Sequence, residues 1–456
     1  MPSSSFSITA TKKDGLLQEN KIVLLWSITV WLVVMNTTMF NVALPSILDD
    51  FHLSSSTASW IVSGYSIVFA IATLTYSRLS DFIPIRSLLT IGITILGVAS
   101  IIGLFATQFY LLLASRLLQA AGAGAVPGLA MVLAGKYIPE SRRGKAMSLI
   151  SSAASLGFGL GPVIGGTIIQ ALGWHYLFVV TALVFVVLPV FSKLLPKEDM
   201  QAVKFDTVGG VLTGASVTGL LLFLSTFSYL ILLGSIMAIV ILWIHIHRIE
   251  IPFIQPNLLK NGQYLKVLFI GFSAFIIHFS TLFLMPIILS VVFQKTPASI
   301  GMIIFPGAIL SAVAAQYIGR LIDRVGNIPL ILFGHLFLII STVAFSLFSN
   351  VSPYAILITY MFMSTGFSAL ISSISNETSR LLPDDEIGTG MGMAQLIQFF
   401  GGAFGVALSG LLLTLQKNLL PEDMYHNIFM GLTILIGCSL LMFVAYLRGK
   451  KGSFKR

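Results

Sequence analysis

The chain has 456 residues, of which 56% are hydrophobic and only 9% charged, and it carries a formal net charge of +9. Soluble domains carry about a quarter charged residues, so the polar side chains here are too few to cover a water-soluble globule, and a membrane protein is expected. A single cysteine, Cys438, excludes a disulfide-rich secreted scaffold. The polar start of the chain lacks the apolar stretch of a signal peptide, so the N-terminus is expected to be retained.

Apolar runs close to the ~20 residues that cross ~30 Å of hydrocarbon give fourteen candidate spans, at 22–45, 57–77, 86–106, 109–136, 146–170, 174–194, 207–226, 228–247, 264–292, 298–321, 328–348, 353–376, 388–414 and 426–447. The runs are continuously apolar rather than alternating, so helices, which satisfy their own backbone hydrogen bonds, are the expected spanning form. Spans 7 and 8 are separated only by Thr226 to Ser228 and would merge into one re-entrant hairpin in a twelve-span count.

Basic residues of an inserted chain stay on the cytoplasmic side. With the N-terminus inside, the inner segments hold 23 of the 26 Lys and Arg, the outer segments keep only Lys295 and Lys417, and Arg116 falls within span 4. Both termini are therefore expected in the cytoplasm. The positive charge is a topology signal rather than a nucleic-acid footprint, so the expected surroundings are a lipid bilayer and no nucleic acid.

No connection is long enough for a separate soluble domain. The expected order is a cytoplasmic tail at 1–21, a six-helix bundle at 22–200, two inserted linker helices at 201–260, a second six-helix bundle at 261–447 and a basic tail at 448–456.

An internal repeat supports that division. Arg78-Leu79-Ser80-Asp81 ends span 2 and Arg320-Leu321-Ile322-Asp323 ends span 10, an offset of 242 (323 minus 81). Gly157 and Gly161 in span 5 match Gly401 and Gly405 in span 13, an offset of 244 (401 minus 157). Duplicated bundles of this kind place a substrate path at their interface, which rocking exposes to either side in turn. Asp81 and Asp323 lie near Arg86 and Arg324 at helix ends, where carboxylates can pair with cations or neighbouring helix N-termini, so these four are candidate gating contacts. In span 5, Gly157, Gly161 and Gly165 recur every fourth residue and lay a smooth groove for another backbone, with a bend expected at Pro162.

These segments resemble a known family. Arg116-Leu-Leu-Gln119-Ala-Ala-Gly122-Ala-Gly124 is similar to the Arg-x-x-Gln-Gly-x-Gly motif of its span 4, and Gly157-x-x-x-Gly161-Pro162-x-x-Gly165-Gly166 to its span 5 antiporter motif. Asn41-Val-Ala-Leu-Pro45 is similar to the end of its span 1. Together with the loop motifs, they resemble the 14-span drug:proton antiporter branch of the major facilitator superfamily, in particular Gram-positive tetracycline and multidrug exporters. The resemblance implies an all-α polytopic membrane protein of two six-helix bundles plus two inserted central helices. It further implies a monomeric alternating-access efflux pump of the bacterial cell membrane, exchanging a small-molecule substrate for protons.

The chain also departs from that family. Its span 1 acid is replaced in Met35-Asn36-Thr37-Thr38, the glutamate of tetracycline exporters is Phe158, the middle glycine of the span 4 motif is Ala120, and the loop glycines are Ser77 and Pro84. With the usual proton-carrying carboxylates missing, an uncoupled facilitator, or an exporter of an endogenous neutral or anionic metabolite, stands as the alternative.

Arg116 is the one basic residue inside a span, where a charge costs at least about 2.5 to 3.5 kcal/mol, so it is expected to face the bundle interior. Counted from the outer surface at 1.5 Å per residue, Arg116 lies about 11 Å deep and Asn36 about 14 Å. Asn36 and Thr37 are therefore the expected partners of Arg116. His278 in span 9 occupies the repeat position of Asn36 (36 plus 242) and, with His335 in span 11, is a titratable group near mid-depth that can carry a proton. Gln119, Phe158, Gln395 and Gln398 lie near mid-depth on helices expected to line the centre, and an aromatic, Met-bearing cavity there suits amphipathic solutes, neutral or anionic. No Cys/His metal spacing, phosphate loop or nucleophile set occurs, so neither an enzyme nor a cofactor or metal site is expected.

Overall fold

The structure, a computed structural model, describes residues 12–80, 83–138, 140–195, 206–249, 252–383 and 387–453. In chain order, α1 (Lys12–Phe51), α2 (Ser55–Leu79), α3 (Ile85–Leu104), α4 (Phe109–Ala123), α5 (Ala125–Tyr137) and α6 (Glu140–Leu172) lead into a 3-10 turn at Trp174–Tyr176. Next come α7 (Leu177–Ala182), α8 (Val184–Leu194), α9 (Thr207–Thr226), α10 (Tyr229–Ile246) and α11 (Pro256–Lys260). The last third consists of α12 (Gly262–Val291), α13 (Pro297–Val325), α14 (Asn327–Phe348), α15 (Pro353–Leu381), α16 (Ile387–Leu415) and α17 (Pro421–Ser453). No strand occurs among the described residues.

Among the described residues, thirteen helical stretches are long and apolar enough to cross a membrane, two of them composite, Phe109–Ala130 across α4 and α5 and Trp174–Phe191 across the 3-10 turn, α7 and α8, and α6 adds a shorter apolar stretch, Leu156–Leu172. The fold is thus all-α and polytopic. Side chains such as Tyr229 and Leu230 on α10 and Leu441 on α17 are 70–80% exposed, a surface that only lipid can cover without loss. The ends that carry the chain termini and the basic connections are called inner below, and the opposite ends outer.

Helix starts follow local chemistry. Asn261 caps α12 by accepting from the amides of Gln263 and Tyr264 at 3.1 Å. Thr296 and Ser352 cap α13 and α15, each followed by a proline whose missing N–H costs nothing at that position.

Two expected spans are interrupted. Span 4 divides at Gly124 into α4 and α5, because the chain there is pressed onto α2: a Cβ on Gly124 would stand 2.7 Å from both Ala72 Cβ and Thr73 N. Span 6 is assembled from the 3-10 turn, α7 and α8. Spans 7 and 8 are two distinct helices, α9 and α10, reversed at Phe227, whose φ of 50° and N–H to Phe223 O bond of 2.8 Å complete the turn.

The repeat extends into the packing. Gly157, Gly161 and Gly165 of α6 face the backbone of α1 at Trp31, Met35 and Met39, and Gly401 and Gly405 of α16 face that of α12 at Phe272 and Ile276. The opposite faces of the same helices form the seams between the two halves. Gly166 of α6 packs on Pro297 of α13, and Gly410 of α16 packs on Ser55 of α2, pairs related by offsets of 244 (410 minus 166) and 242 (297 minus 55).

The two seams differ at the inner end. On the α2–α16 side, a Cβ on Gly392 would lie 2.8 Å from Leu74 Cδ1, so this seam stays closed there. Helix α9 lies along this seam, where Leu221 joins Ile67 of α2 with Ala403 and Ala407 of α16. Asp206, the N-cap of α9, fastens the inserted pair at its inner end. Its carboxylate accepts from Gly209 N at 2.8 Å and Phe253 N at 2.9 Å and lies 2.7 Å from His245 Nε2 of α10. The Phe253 ring packs with Ala70, Leu74 and Leu396 in the seam. Burial pushes the Asp206 carboxyl up, but the bonds from His245, Gly209 and Phe253 outweigh it and hold the group below its ordinary value.

Candidate functional site: a buried arginine and an aromatic cavity

The interior of the N-terminal half is organised around Arg116, which is fully buried on α4. Its Nη1 donates to Gln119 Oε1 at 2.8 Å and to Asn36 Oδ1 at 3.2 Å. The guanidinium carbon sits 3.9 Å from the Phe40 ring centroid and 4.0 Å from that of Tyr65, so the cation is held between two π faces. Asn36 Oδ1 also accepts from Thr181 at 3.0 Å, and Gln119 Nε2 donates to Ser100 at 2.7 Å. Nε and Nη2 of Arg116 find no acceptor among the described residues.

Thr37, expected beside Arg116, makes no hydrogen bond to the guanidinium; its hydroxyl lies 3.4 Å from Val33 O and bonds the hydroxyl of Tyr65, the ring stacked on Arg116. Gln119, one helical turn from Arg116, takes the place expected for Thr37, because i and i+3 side chains share a helix face.

Between the halves lies a cavity of about 400 Å³. Phe158 of α6, Phe275, His278 and Phe279 of α12, and Tyr360 and Phe367 of α15 form its aromatic wall. Ser311, Gln316 and Gly319 of α13 and Ser368 and Ser372 of α15 continue it toward the inner end. Every described lining residue is uncharged apart from the titratable His278. Above the cavity the α6–α13 seam is tight: Gly166 meets Pro297, Gly301 meets Pro162, and Gln170 Oε1 accepts from Ala298 N at 3.3 Å. The void therefore occupies the inner half of the seam and is sealed toward the outer face.

His278 is 6% exposed, stacks on Phe367 at 3.9 Å with 6° between the planes, and its Nδ1 has no hydrogen-bond partner among the described residues. His335 is a different case. Its Nδ1 lies 2.8 Å from Ile331 O and its Nε2 3.1 Å from Ser439 Oγ, so both nitrogens are engaged inside the C-terminal half and it does not line the cavity.

Of the other sequence candidates, Phe158 lines the cavity, whereas Arg116, Asn36 and Gln119 lie inside the N-terminal half. Gln395 and Gln398 are not among the lining residues: Gln398 is buried against Gly271 of α12, and the α16 residue in the aromatic cluster is Phe399, 5.5 Å from Phe275. Asp81 lies outside the described residues, as does the side chain of Asp323. Arg86 is half-buried in the first turn of α3, and Arg324 is exposed in the last turn of α13.

One carboxylate was not anticipated. Glu377, near the inner end of α15, is 2% exposed; it accepts from Asn327 Nδ2 at 2.6 Å and from the Tyr446 hydroxyl, tying α14, α15 and α17 together. In the sequence it reads as a loop charge, because Glu377-Thr-Ser-Arg380 follows the last apolar run.

A helical membrane protein built from two related halves around a central cavity is the architecture of a solute carrier. The sequence profile of the Major Facilitator Superfamily matches residues 26–406, and the chain belongs to that family. It is 28% identical over 433 residues to the MFS-type transporter YwoD of Bacillus subtilis, covering 90% of this chain and 93% of that protein. The riboflavin transporter RibZ of Clostridioides difficile is 25% identical over 393 residues, with 85% and 86% covered, and the lincomycin resistance protein LmrB of Listeria monocytogenes is 23% identical over 388 residues, with 82% of each covered. A crystal structure of a POT family transporter in complex with a thioalcohol-conjugated peptide shares the fold at a TM-score of 0.69 and 15% identity, over 92% of this chain and 96% of that one.

Proposed function

We propose that the protein is a proton-driven exporter of amphipathic small molecules in a bacterial cell membrane, working as a monomer with both termini in the cytoplasm. In this reading the chain crosses fourteen times, counting α6. The bundles at 22–200 and 261–447 rock against each other, and the helices of 201–260 brace one seam. The observation that carries the proposal is the position of the cavity, which is closed at the outer end by the small residues of α6 and α13 and extends into the inner half. That is the arrangement of a carrier loading from the cytoplasm.

The name of the lincomycin resistance relative supports export, and that of the riboflavin transporter supports a small-molecule cargo. His278 carries the proton in this proposal, because it faces the cavity with an unengaged nitrogen. Arg116, Asn36, Thr37 and Gln119 set the shape of the N-terminal half, and Asp81, Arg86, Asp323 and Arg324 act at the inner gate.

A second reading, an uncoupled facilitator or exporter of a neutral metabolite, draws on the uncharged character of the described lining. Inverted membrane vesicles distinguish the two: uptake stimulated by interior acidity supports antiport, and equilibration independent of the gradient supports the facilitator.

A further inference from the structure

A further cavity, of about 380 Å³, opens at the outer end of the α6–α13 seam. It is lined by Gln170 of α6, by Lys295 and the first turns of α13, and by Tyr354 at the start of α15. One wall thus belongs to the N-terminal half and the others to the C-terminal half. Its volume falls within the range of about 300–1,000 Å³ in which small-ligand pockets occur.

The side chains around it offer donors. Gln170 Oε1 is taken by Ala298 N at 3.3 Å, which leaves the two Nε2 hydrogens of that amide without an acceptor among the described residues. Thr296 Oγ1 accepts from Ser299 N at 3.4 Å and donates to Ser299 Oγ at 3.1 Å, so the Ser299 hydroxyl keeps its own hydrogen for a further partner. Lys295 is exposed and has no ion-pair partner among the described residues, and no acidic side chain lines the cavity. The side-chain acceptors are consumed within the wall, while an ammonium, an amide and a hydroxyl remain to donate, and an anion satisfies all three at once. The first amides of α13 are already engaged by Gln170 and Thr296, so the site rests on side chains rather than on a helix end.

The apolar part of the lining lies deeper. Helix α13 runs inward from Pro297, so Met302 is about 4.5 Å below Ser299 at 1.5 Å per residue. Met302 is 58% exposed and Tyr354 72%. Donors at the outer surface above an exposed apolar flank match the two ends of a lipid, whereas a soluble anion would use only the first. We propose that this cavity binds the phosphodiester of an anionic phospholipid of the outer leaflet, with Lys295, Ser299 and Gln170 Nε2 on the headgroup and an acyl chain along Met302 and Tyr354. The headgroup then touches α6 of one half and α13 and α15 of the other, at the outer end of the seam. Binding here does not depend on the proposed export function and is measured without transport, so the two fail separately.

The test is lipid binding to the purified full-length protein in detergent, read as one-to-one adducts by native mass spectrometry and as thermal stabilisation. The probes are dioleoyl phosphatidylglycerol; dioleoyl phosphatidylcholine, which has the same chains and phosphodiester but a compensating cation; and glycerol 3-phosphate, which has the anion without the chains. Saturable binding of phosphatidylglycerol is expected, with phosphatidylcholine weaker and no saturable effect of glycerol 3-phosphate over the same concentrations. Lys295→Gln lowers the phosphatidylglycerol affinity about fivefold, the worth of one lysine at an anionic headgroup. Lys417→Gln, which removes the other basic residue expected on the outer side, leaves it unchanged. Ser299→Ala, which removes one donor and keeps the charge, gives a smaller loss and serves should Lys295→Gln fail to fold. Equal binding of the two phospholipids, equal losses in Lys295→Gln and Lys417→Gln, or no loss in either Lys295→Gln or Ser299→Ala overturns the proposal. Glycerol 3-phosphate binding as tightly as phosphatidylglycerol overturns the lipid as occupant in favour of a free phosphate.

Discussion

Replacing Gly301 by alanine tests the rocking seam directly. A Cβ at position 301 would stand 2.9 Å from Pro162 C and 3.1 Å from Val163 Cα, against about 3.5–4.0 Å for a relaxed carbon–carbon contact. These two and the Pro162 carbonyl oxygen, which is nearer still, are all backbone atoms and cannot rotate away, so α13 has to move off α6 by roughly an ångström near the outer end. Overpacking of this kind costs about 1–3 kcal/mol. If the outer seam parts during transport, that cost falls on the outer-closed state alone and shifts the balance toward the outer-open state by about 5- to 150-fold. Spin labels at Leu172→Cys and Met302→Cys, in a Cys438→Ser background, report the outer separation of α6 and α13 as a distance distribution. Gly301→Ala is expected to enlarge the long-distance population. Gly161→Ala serves as the control: its Cβ would meet Met35 O at 2.9 Å within the N-terminal half, so it lowers thermal stability without redistributing that distance. An unchanged distribution in Gly301→Ala, accompanied by lower thermal stability, refutes a seam that opens.

Three further outcomes follow from the same geometry. Arg116→Lys keeps the charge but loses the planar group between Phe40 and Tyr65, contacts worth about 1–2 kcal/mol each when desolvated, and is expected to lower the unfolding midpoint by several degrees in a thermal scan; an unchanged midpoint contradicts the two-faced stacking. His278→Gln is expected to abolish stimulation of vesicle uptake by a pH gradient while gradient-free equilibration continues, and full retention of the stimulation removes the histidine from coupling. Asp206 is held below its ordinary value, so the stability it contributes is present above about pH 4 and is lost as the pH falls through the lowered folded-state value. Asp206→Asn at neutral pH is therefore expected to lower the protection of the Gly209 and Phe253 amides, measured against their intrinsic exchange rates, and equal protection in both proteins contradicts the clamp.

The large-scale features were legible because they rest on burial and periodicity. Long apolar runs, the loop and glycine repeats and the distribution of Lys and Arg carry the helical class and the two related halves. Counting residues from the membrane surface placed Arg116 near Asn36, and the two side chains meet at 3.2 Å. Helix rotation was less visible. Thr37 and Gln119 are both polar and at suitable depth, yet which one faces the guanidinium depends on how α1 and α4 turn against each other. Gln395 and Gln398 illustrate the same limit, since the helix face presented to the aromatic cluster carries Phe399. Apart from Phe158, marked by the family motif, and His278, marked by the repeat, the cavity aromatics had no signal of their own, because 34 phenylalanines make any one of them unremarkable in sequence. Glu377 escaped notice for a different reason: its burial is created by Asn327 and Tyr446, 50 and 69 residues away in the chain.

The inserted pair adds an asymmetry that the repeat alone does not contain. The related seams α6–α13 and α2–α16 are both tight at their outer ends, but only α2–α16 carries α9 along its length and the Phe253 wedge at its inner end. The cavity lies on the unbraced seam, where Gln316 lines it at the repeat position of Leu74 (74 plus 242). In the proposed transport cycle, a brace on one side would leave the opening to the other.

In the proposed transport cycle the two ends of the α6–α13 seam open in turn. Distance distributions for the outer pair Leu172→Cys and Met302→Cys, and for the inner pair Leu149→Cys and Leu321→Cys, recorded in nanodiscs across a pH series, measure it most directly. Reciprocal changes, with the outer pair lengthening as the inner pair shortens, are the predicted result; pairs that lengthen together, or that both stay fixed while transport proceeds, contradict it.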